Sequence, residues 1–212
     1  MNKVIADFDD FEDNFQKNGL SILFYWRSKY PGFKATLFTI PAKTSVEMID
    51  LLKPHSDWLE LGVHGFSHNS NFECLYWDEK QTNNFLDYVE FIGGFVKVFK
   101  APGWEITYPQ PYNELPNSEK PVNSNPQLVY NILMQRGYVV ADQHYNWDKR
   151  PQGLKTYCTC HPWQVHGHTW KMENGEPNGL EQIEQAGVPW NDKSEFYFIS
   201  EAWDKGLIKP CL

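Results

Sequence analysis

Residues 60–71 read ELGVHGFSHNSN and set two histidines, His64 and His68, four positions apart directly after an apolar run. Imidazole pairs completed by a carboxylate are a common ligand set for zinc and similar divalent ions. Upstream, DFDDFED supplies Asp7, Asp9 and Asp10 behind another short apolar run. Downstream, Lys100, Pro102 and Trp104 close the run FVKVFKAPGW, Asp142 follows VVA, and His166 and His168 follow WQV. Each feature also has an ordinary explanation. Two histidines at this spacing need only share a helical face. DFDDFED reads equally as a solvated acidic turn, Asp142 as a helix cap, and His166 and His168 as exposed strand residues. A zincin motif needs glutamate immediately after the first histidine. Gly65 stands there instead, so a water-activating base must come from elsewhere.

The elements that must position these groups alternate between strand and helix. Residues 3–8 read as a buried strand, and 15–32 contain a helix stopped at Pro31-Gly32. A second strand covers 34–41. A helix follows within 43–59, capped by Thr44 or Ser45, with Val46, Ile49 and Leu52 on one face. Residues 59–63 form a third strand, 78–92 contain a helix, and 94–104 hold a fourth strand ending in a Pro-Gly turn. The stretch 105–126, rich in Pro, Asn and Ser, reads as a long loop of the kind that covers a site. An amphipathic helix over 126–138 has Pro126 near its start and Gly137 at its end. Later strands fall in 139–143, 155–168 and 194–200, with a short helix near 179–187. The alternation argues for an α/β fold with a parallel sheet, open or closed into a barrel. In such sheets functional groups gather at the carboxyl ends of strands, and the residues singled out above fall at those ends.

A chain of 212 residues without internal repeat or linker fits one domain, residues 1–212. The net charge of −8, with no basic block, disfavours nucleic acid and anionic membranes as partners. No apolar run approaches a membrane span and no signal-peptide core is visible, so the expected location is cytoplasmic. The cysteines Cys74, Cys158, Cys160 and Cys211 include one close pair without a second, which reads as free thiols rather than a zinc knuckle. Aromatic residues make up 16% of the chain; Trp77, Trp104, Trp147, Trp163, Trp170 and Trp190 lie in polar surroundings. Core packing accounts for many aromatics, but tryptophans beside polar residues also suit stacking on sugar rings.

In order along most of the chain, these motifs resemble the polysaccharide deacetylase family of carbohydrate esterases, the NodB-homology domain. The family's Thr-Phe-Asp-Asp-Gly motif is similar to Asp7-Phe8-Asp9-Asp10-Phe11, and its His-[Ser/Thr]-x-x-His motif to His64-Gly65-Phe66-Ser67-His68. Its Arg-x-Pro motif resembles Lys100-Ala101-Pro102, with Trp104 shortly after; a later Asp/Trp motif resembles Asp142 or Trp147-Asp148. The closing apolar-x-His motif falls in Val165-His166-Gly167-His168. Phe11, Gly65 and Lys100 depart from the family's glycine, hydroxyl residue and arginine, which marks a divergent member.

The resemblance implies a distorted (β/α) barrel and a hydrolase that removes N-acetyl, or O-acetyl, groups from an acetylated saccharide. It implies one divalent metal on Asp10, His64 and His68, zinc being expected and cobalt, nickel or manganese compatible. Asp9 would act as base toward the metal-bound water and His168 or His166 as acid, with Lys100 at the place of the orienting arginine. Trp104, Asp142 and Trp147 would meet substrate. The alternatives are a sugar-binding domain on the same fold without turnover, and a hydrolase of a non-sugar amide.

Overall fold

In the computed structural model, residues 3–14, 19–70, 73–104, 126–141, 155–157, 163–169 and 177–208 are described. Their strands form one sheet in the order β5-β4-β3-β2-β1-β7-β6, with β8 pairing the first residues of β1. The strands are β1 (Lys3–Phe11), β2 (Ala35–Thr39), β3 (Leu59–His64), β4 (Phe95–Lys100), β5 (Val139–Val140), β6 (Lys155–Tyr157), β7 (Trp163–His168) and β8 (Glu195–Tyr197). Every pairing is parallel except β6 with β7. The sheet curls into a half-barrel, as the barrel expectation requires.

The helices follow their strands: α1 (Leu20–Lys29), α2 (Val46–Leu52), α3 (Glu79–Ile92), α4 (Pro126–Gln135), α5 (Gly179–Ala186) and α6 (Ile199–Asp204). Local chemistry sets their ends. Ser45, not Thr44, caps α2 by accepting from the Met48 N–H, and Asp78 and Gln81 form a reciprocal capping box at α3. The buried face of α2 is Met48, Ile49 and Leu52, while Val46 is half exposed. The expected 155–168 strand is instead the short β6 and the separate β7, which run antiparallel; residues 158–162, including Cys158 and Cys160, lie outside the described residues.

Strand alternation decides what faces the inside of the curl. Ile5, Asp7 and Asp9 share a face of β1, as do Phe38 on β2, His64 on β3, Val98 and Lys100 on β4, and Gln164, His166 and His168 on β7. The lower layer of this inner face is apolar. There Ile5, Phe38, Val98, Val139 and Ala141 pack with Ile199 and Ala202 of α6 and with Ile208. The opposite face of β1–β3 packs on α1, α2 and α5, and that of β3–β5 on α3 and α4. Burial of these faces leaves the polar upper layer at the carboxyl ends of the strands. A cavity of about 520 Å³, lined by Leu52, Lys53, Glu60, Val96 and Phe198 among others, lies at the opposite end of β3 and β4. None of the described helices is long and apolar enough to cross a membrane.

Two tryptophans weighed for sugar stacking serve packing instead. Trp190 is buried against Trp26, with ring centroids 5.1 Å apart, and Trp77 packs on Phe85 at 5.1 Å. Trp147 and Trp170 lie outside the described residues, as do the side chains of Trp104 and Trp163.

Candidate metal centre and its carboxylate layer

β1 runs on through the whole Asp7–Asp10 stretch, so the solvated-turn reading does not hold: Asp7 and Asp9 are buried. Regular alternation would turn Asp10 away from Asp9. The β1–β2 register shifts between Phe8 and Phe11, and Asp10 takes a left-handed φ of 66°. That conformation is uncommon outside glycine, though Asp tolerates it best among charged residues. It brings the Asp10 carboxylate to the same mouth as the histidines.

His64 ends β3, and its Nδ1–H donates to the carbonyl of Lys100 at 2.9 Å. A carbonyl only accepts, so this bond places the proton on Nδ1 and leaves Nε2 with a lone pair toward the mouth. Asp10 Oδ1 lies 3.3 Å from His64 Nε2 and 3.1 Å from His68 Nε2. Although buried and this close, Asp10 Oδ1 receives no directed hydrogen bond among the described residues. A buried carboxylate oxygen without a donor, facing two imidazole nitrogens, is the arrangement a divalent cation completes. These three atoms lie within 4.8 Å of one another, as do one atom each of Asp9, His166 and His168, a second cluster of metal-ligating residue types. Burial works against ionisation of Asp10, but His64 and His68 outweigh it and hold its pKa well below the usual carboxylate range.

Behind this triad sits an ionic layer. The Lys100 ammonium donates to Asp7 Oδ1 at 2.6 Å and to Asp9 Oδ1 at 2.8 Å, and lies 4.1 Å from the centre of the Phe38 ring. All three ionic side chains are essentially inaccessible. Burial favours the neutral forms, but the mutual attraction wins: Asp7 and Asp9 titrate below the ordinary aspartate range and Lys100 above the ordinary lysine range. A lysine cannot present arginine's planar fork. Here its single nitrogen bridges two carboxylates instead, which is how a point charge can hold Asp9. His166 Nδ1–H donates to Asp7 Oδ1 at 2.7 Å, and its Nε2 faces Asp9 Oδ2 at 3.5 Å. Gln164 Nε2 donates to the other Asp7 oxygen. His168 pairs in register with Asp9 and is half exposed, its Nε2 3.9 Å from Asp10 Oδ2. Thr169 fixes this end of β1 by donating its N–H and hydroxyl to the Asp9 carbonyl, at 2.9 and 3.0 Å.

The structure therefore brings together Asp9, Asp10, His64, His68, Lys100, His166 and His168. Trp104 ends a short turn after β4, while Asp142 and Trp147 lie outside the described residues. The sequence set Asp7 beside Asp9 and Asp10 at the end of the first strand but gave it no role of its own. Its signal was the i, i+2 spacing that puts both on one strand face. Gln164, two before His166, carries the same signal.

No protein-family model and no curated protein matches the sequence. Solved structures do match in fold. The chain superposes on the Bc1960 peptidoglycan N-acetylglucosamine deacetylase with a TM-score of 0.56, covering 94% of this chain and 87% of that one at 13% identity. A family 4 acetyl xylan esterase from Clostridium thermocellum, in complex with a cobalt ion, gives 0.50 with 97% and 93% coverage at 16% identity. The polysaccharide deacetylase Bc1974 from Bacillus cereus gives 0.50 with 100% and 92% coverage at 17% identity. The chain thus has the fold of the polysaccharide deacetylases, as its motifs led one to expect.

Proposed function

We propose that this chain is a metal-dependent hydrolase that removes acetyl groups from a saccharide, N-linked groups foremost and O-linked ones as the variant. The observation that carries the reading is the convergence of Asp10 Oδ1, His64 Nε2 and His68 Nε2 beside a lysine-held Asp9. The names of the fold's relatives, a peptidoglycan N-acetylglucosamine deacetylase and a cobalt-bound acetyl xylan esterase, point to the same chemistry.

Asp10, His64 and His68 would hold a divalent ion, zinc by expectation, which would supply Lewis acidity toward an acyl oxygen and a water of lowered pKa. The residues around it do the rest. Asp9, ionised and outside the ligand triad, accepts the proton of the attacking water. Lys100 keeps that carboxylate ionised and oriented. His166, fixed through Nδ1 by Asp7, lies beside Asp9 as a stop for that proton. His168, at the open side, protonates the leaving amine. Trp104, Asp142 and Trp147 complete the proposal as contacts to the sugar.

The test is metal content by elemental analysis for wild type and His68→Ala, with acetate release from an N-acetylglucosamine oligomer measured on the same samples. Near one metal per chain, lost in the variant together with acetate release, is the expected result. Metal without acetate favours the sugar-binding alternative or another acyl substrate, and no metal after reconstitution with zinc removes the proposal.

A further inference from the structure

We infer that Glu73 is the positioning residue of the loop that carries His68, and that position 65 is glycine because the Glu73 carboxylate occupies the space a side chain there would need. The inference rests on the metal role proposed for His64 and His68. The two histidines are held very differently. His64 belongs to β3, is paired in register with Lys100, and has its ring fixed by the Lys100 carbonyl. His68 lies beyond the strand, with a left-handed φ of 48°.

The Phe66 carbonyl accepts from the Ala42 N–H at 2.9 Å and the Phe66 ring packs on Phe85, while the N–H groups of residues 66–68 are gathered by one carboxylate. Glu73 Oε1 accepts from the Phe66 N–H at 2.6 Å. Its Oε2 accepts from the Ser67 N–H at 3.2 Å, the Ser67 hydroxyl at 2.8 Å and the His68 N–H at 3.0 Å. Three successive backbone N–H groups converging on an anion form a concave nest, a geometry that favours negative charge. The carboxylate has a firm base, since Cys74 and Leu75, next in the same short turn, are buried. Glutamine cannot replace it: one acceptor oxygen would remain, and its NH₂ would face N–H donors.

Gly65 completes the device. Its φ is +61°, and a Cβ there would sit 2.0 Å from Glu73 Oε1 and 2.7 and 2.9 Å from Cγ and Cδ of Pro102. A side chain at position 65 and the carboxylate of Glu73 therefore exclude one another. The departure from the family's hydroxyl residue at this position and the presence of Glu73 are two halves of one arrangement.

The experiment uses the full chain with cobalt(II) alone as probe, following its visible absorption on titration, and measures amide hydrogen exchange of the metal-free protein. Loss of a group that orients a metal ligand typically costs about 10–100-fold in metal affinity. Glu73→Gln and Glu73→Ala are expected to fall in that range, with a shifted cobalt spectrum. In metal-free protein the amides of residues 66–68 should exchange faster, while those of α3 stay as protected as in wild type. Gly65→Ala should weaken cobalt binding in the wild-type background and do so less in Glu73→Ala, because contacting residues are not additive. Affinity within twofold of wild type in both Glu73 variants overturns the inference, as does unchanged exchange at 66–68. If the wild-type chain binds no cobalt, the proposed function falls with it. If wild type binds and the Glu73 variants bind equally well, only this inference falls.

Discussion

Lys100→Met tests whether the ionic layer beneath Asp10, His64 and His68 is built as described. Methionine has a similar unbranched stem, so the change is chiefly the loss of a charge and its donors. Two buried carboxylates, Asp7 and Asp9, then lose the ammonium that lies 2.6 and 2.8 Å from them, and the His166 Nδ1–H and Gln164 amide remain as donors to Asp7. Breaking a buried pair costs about 3–5 kcal/mol, because a charge is left uncompensated. At an unfolding entropy of about 2.1 cal/mol/K per residue, a chain of 212 residues loses roughly 2 °C of Tm per kcal/mol. The expected fall is therefore about 7–11 °C at neutral pH, read by calorimetry on metal-free protein. The pH dependence is the sharper readout. Lys100 holds the folded-state pKa values of Asp7 and Asp9 below their unfolded ones. The stability this contributes is present above the unfolded aspartate range and is lost as pH falls through the folded values. The gap between wild type and variant should thus be widest at neutral pH and close toward acid. Adding Asp7→Asn should recover part of the loss by removing one of the stranded charges. A Tm within about 2 °C of wild type, or a gap that widens on acidification, would refute the reasoning.

Other consequences can be checked separately. Under the proposed function Asp9→Asn should leave metal on Asp10, His64 and His68 and lose about 10²–10⁴-fold in acetate release, the usual worth of a general base, whereas loss of metal in this variant would favour the Asp9, His166 and His168 cluster. Glu60 is buried beside Thr36 and Ser200, and burial raises its pKa above the usual glutamate range. Its folded state therefore binds the proton more tightly than the unfolded state. That contribution is full below the unfolded pKa and is lost as pH rises through the folded one, so Glu60→Gln should flatten the fall in Tm on the way to neutral pH. Trp190→Ala should cost about 3–5 kcal/mol of stability by urea titration, as large buried aromatic truncations do, with metal content unchanged.

The order of strands and helices was legible because β2, β3 and β4 are short apolar runs separated by turns and by the periodic segments of α2 and α3, and that pattern is written locally. The polar residues at the strand ends were legible for the same reason. Two features were not, and both depend on what lies across the sheet. Alternation along β1 predicts that Asp9 and Asp10 diverge, and only the shifted pairing with β2 and the left-handed Asp10 bring them to one mouth. Trp190, polar in its sequence surroundings, is buried because Trp26 of α1, Phe33 of the α1–β2 connection and Phe196 of β8 enclose it. Lys100 joins the two levels. Taken alone it looks like a weakened arginine, a loss of orienting power. Beside Asp7 it becomes a bridge between two acids, and Asp7 has a purpose only because Lys100 and His166 reach it from β4 and β7. Aspartate at 7 and lysine at 100, where the motifs they resemble carry threonine and arginine, therefore make physical sense as a pair, as do glycine at 65 and glutamate at 73. Replacing Asp7 by Asn together with Lys100 by Met should disturb the site less than replacing Lys100 alone, because the second change removes one of the charges that the first leaves uncompensated.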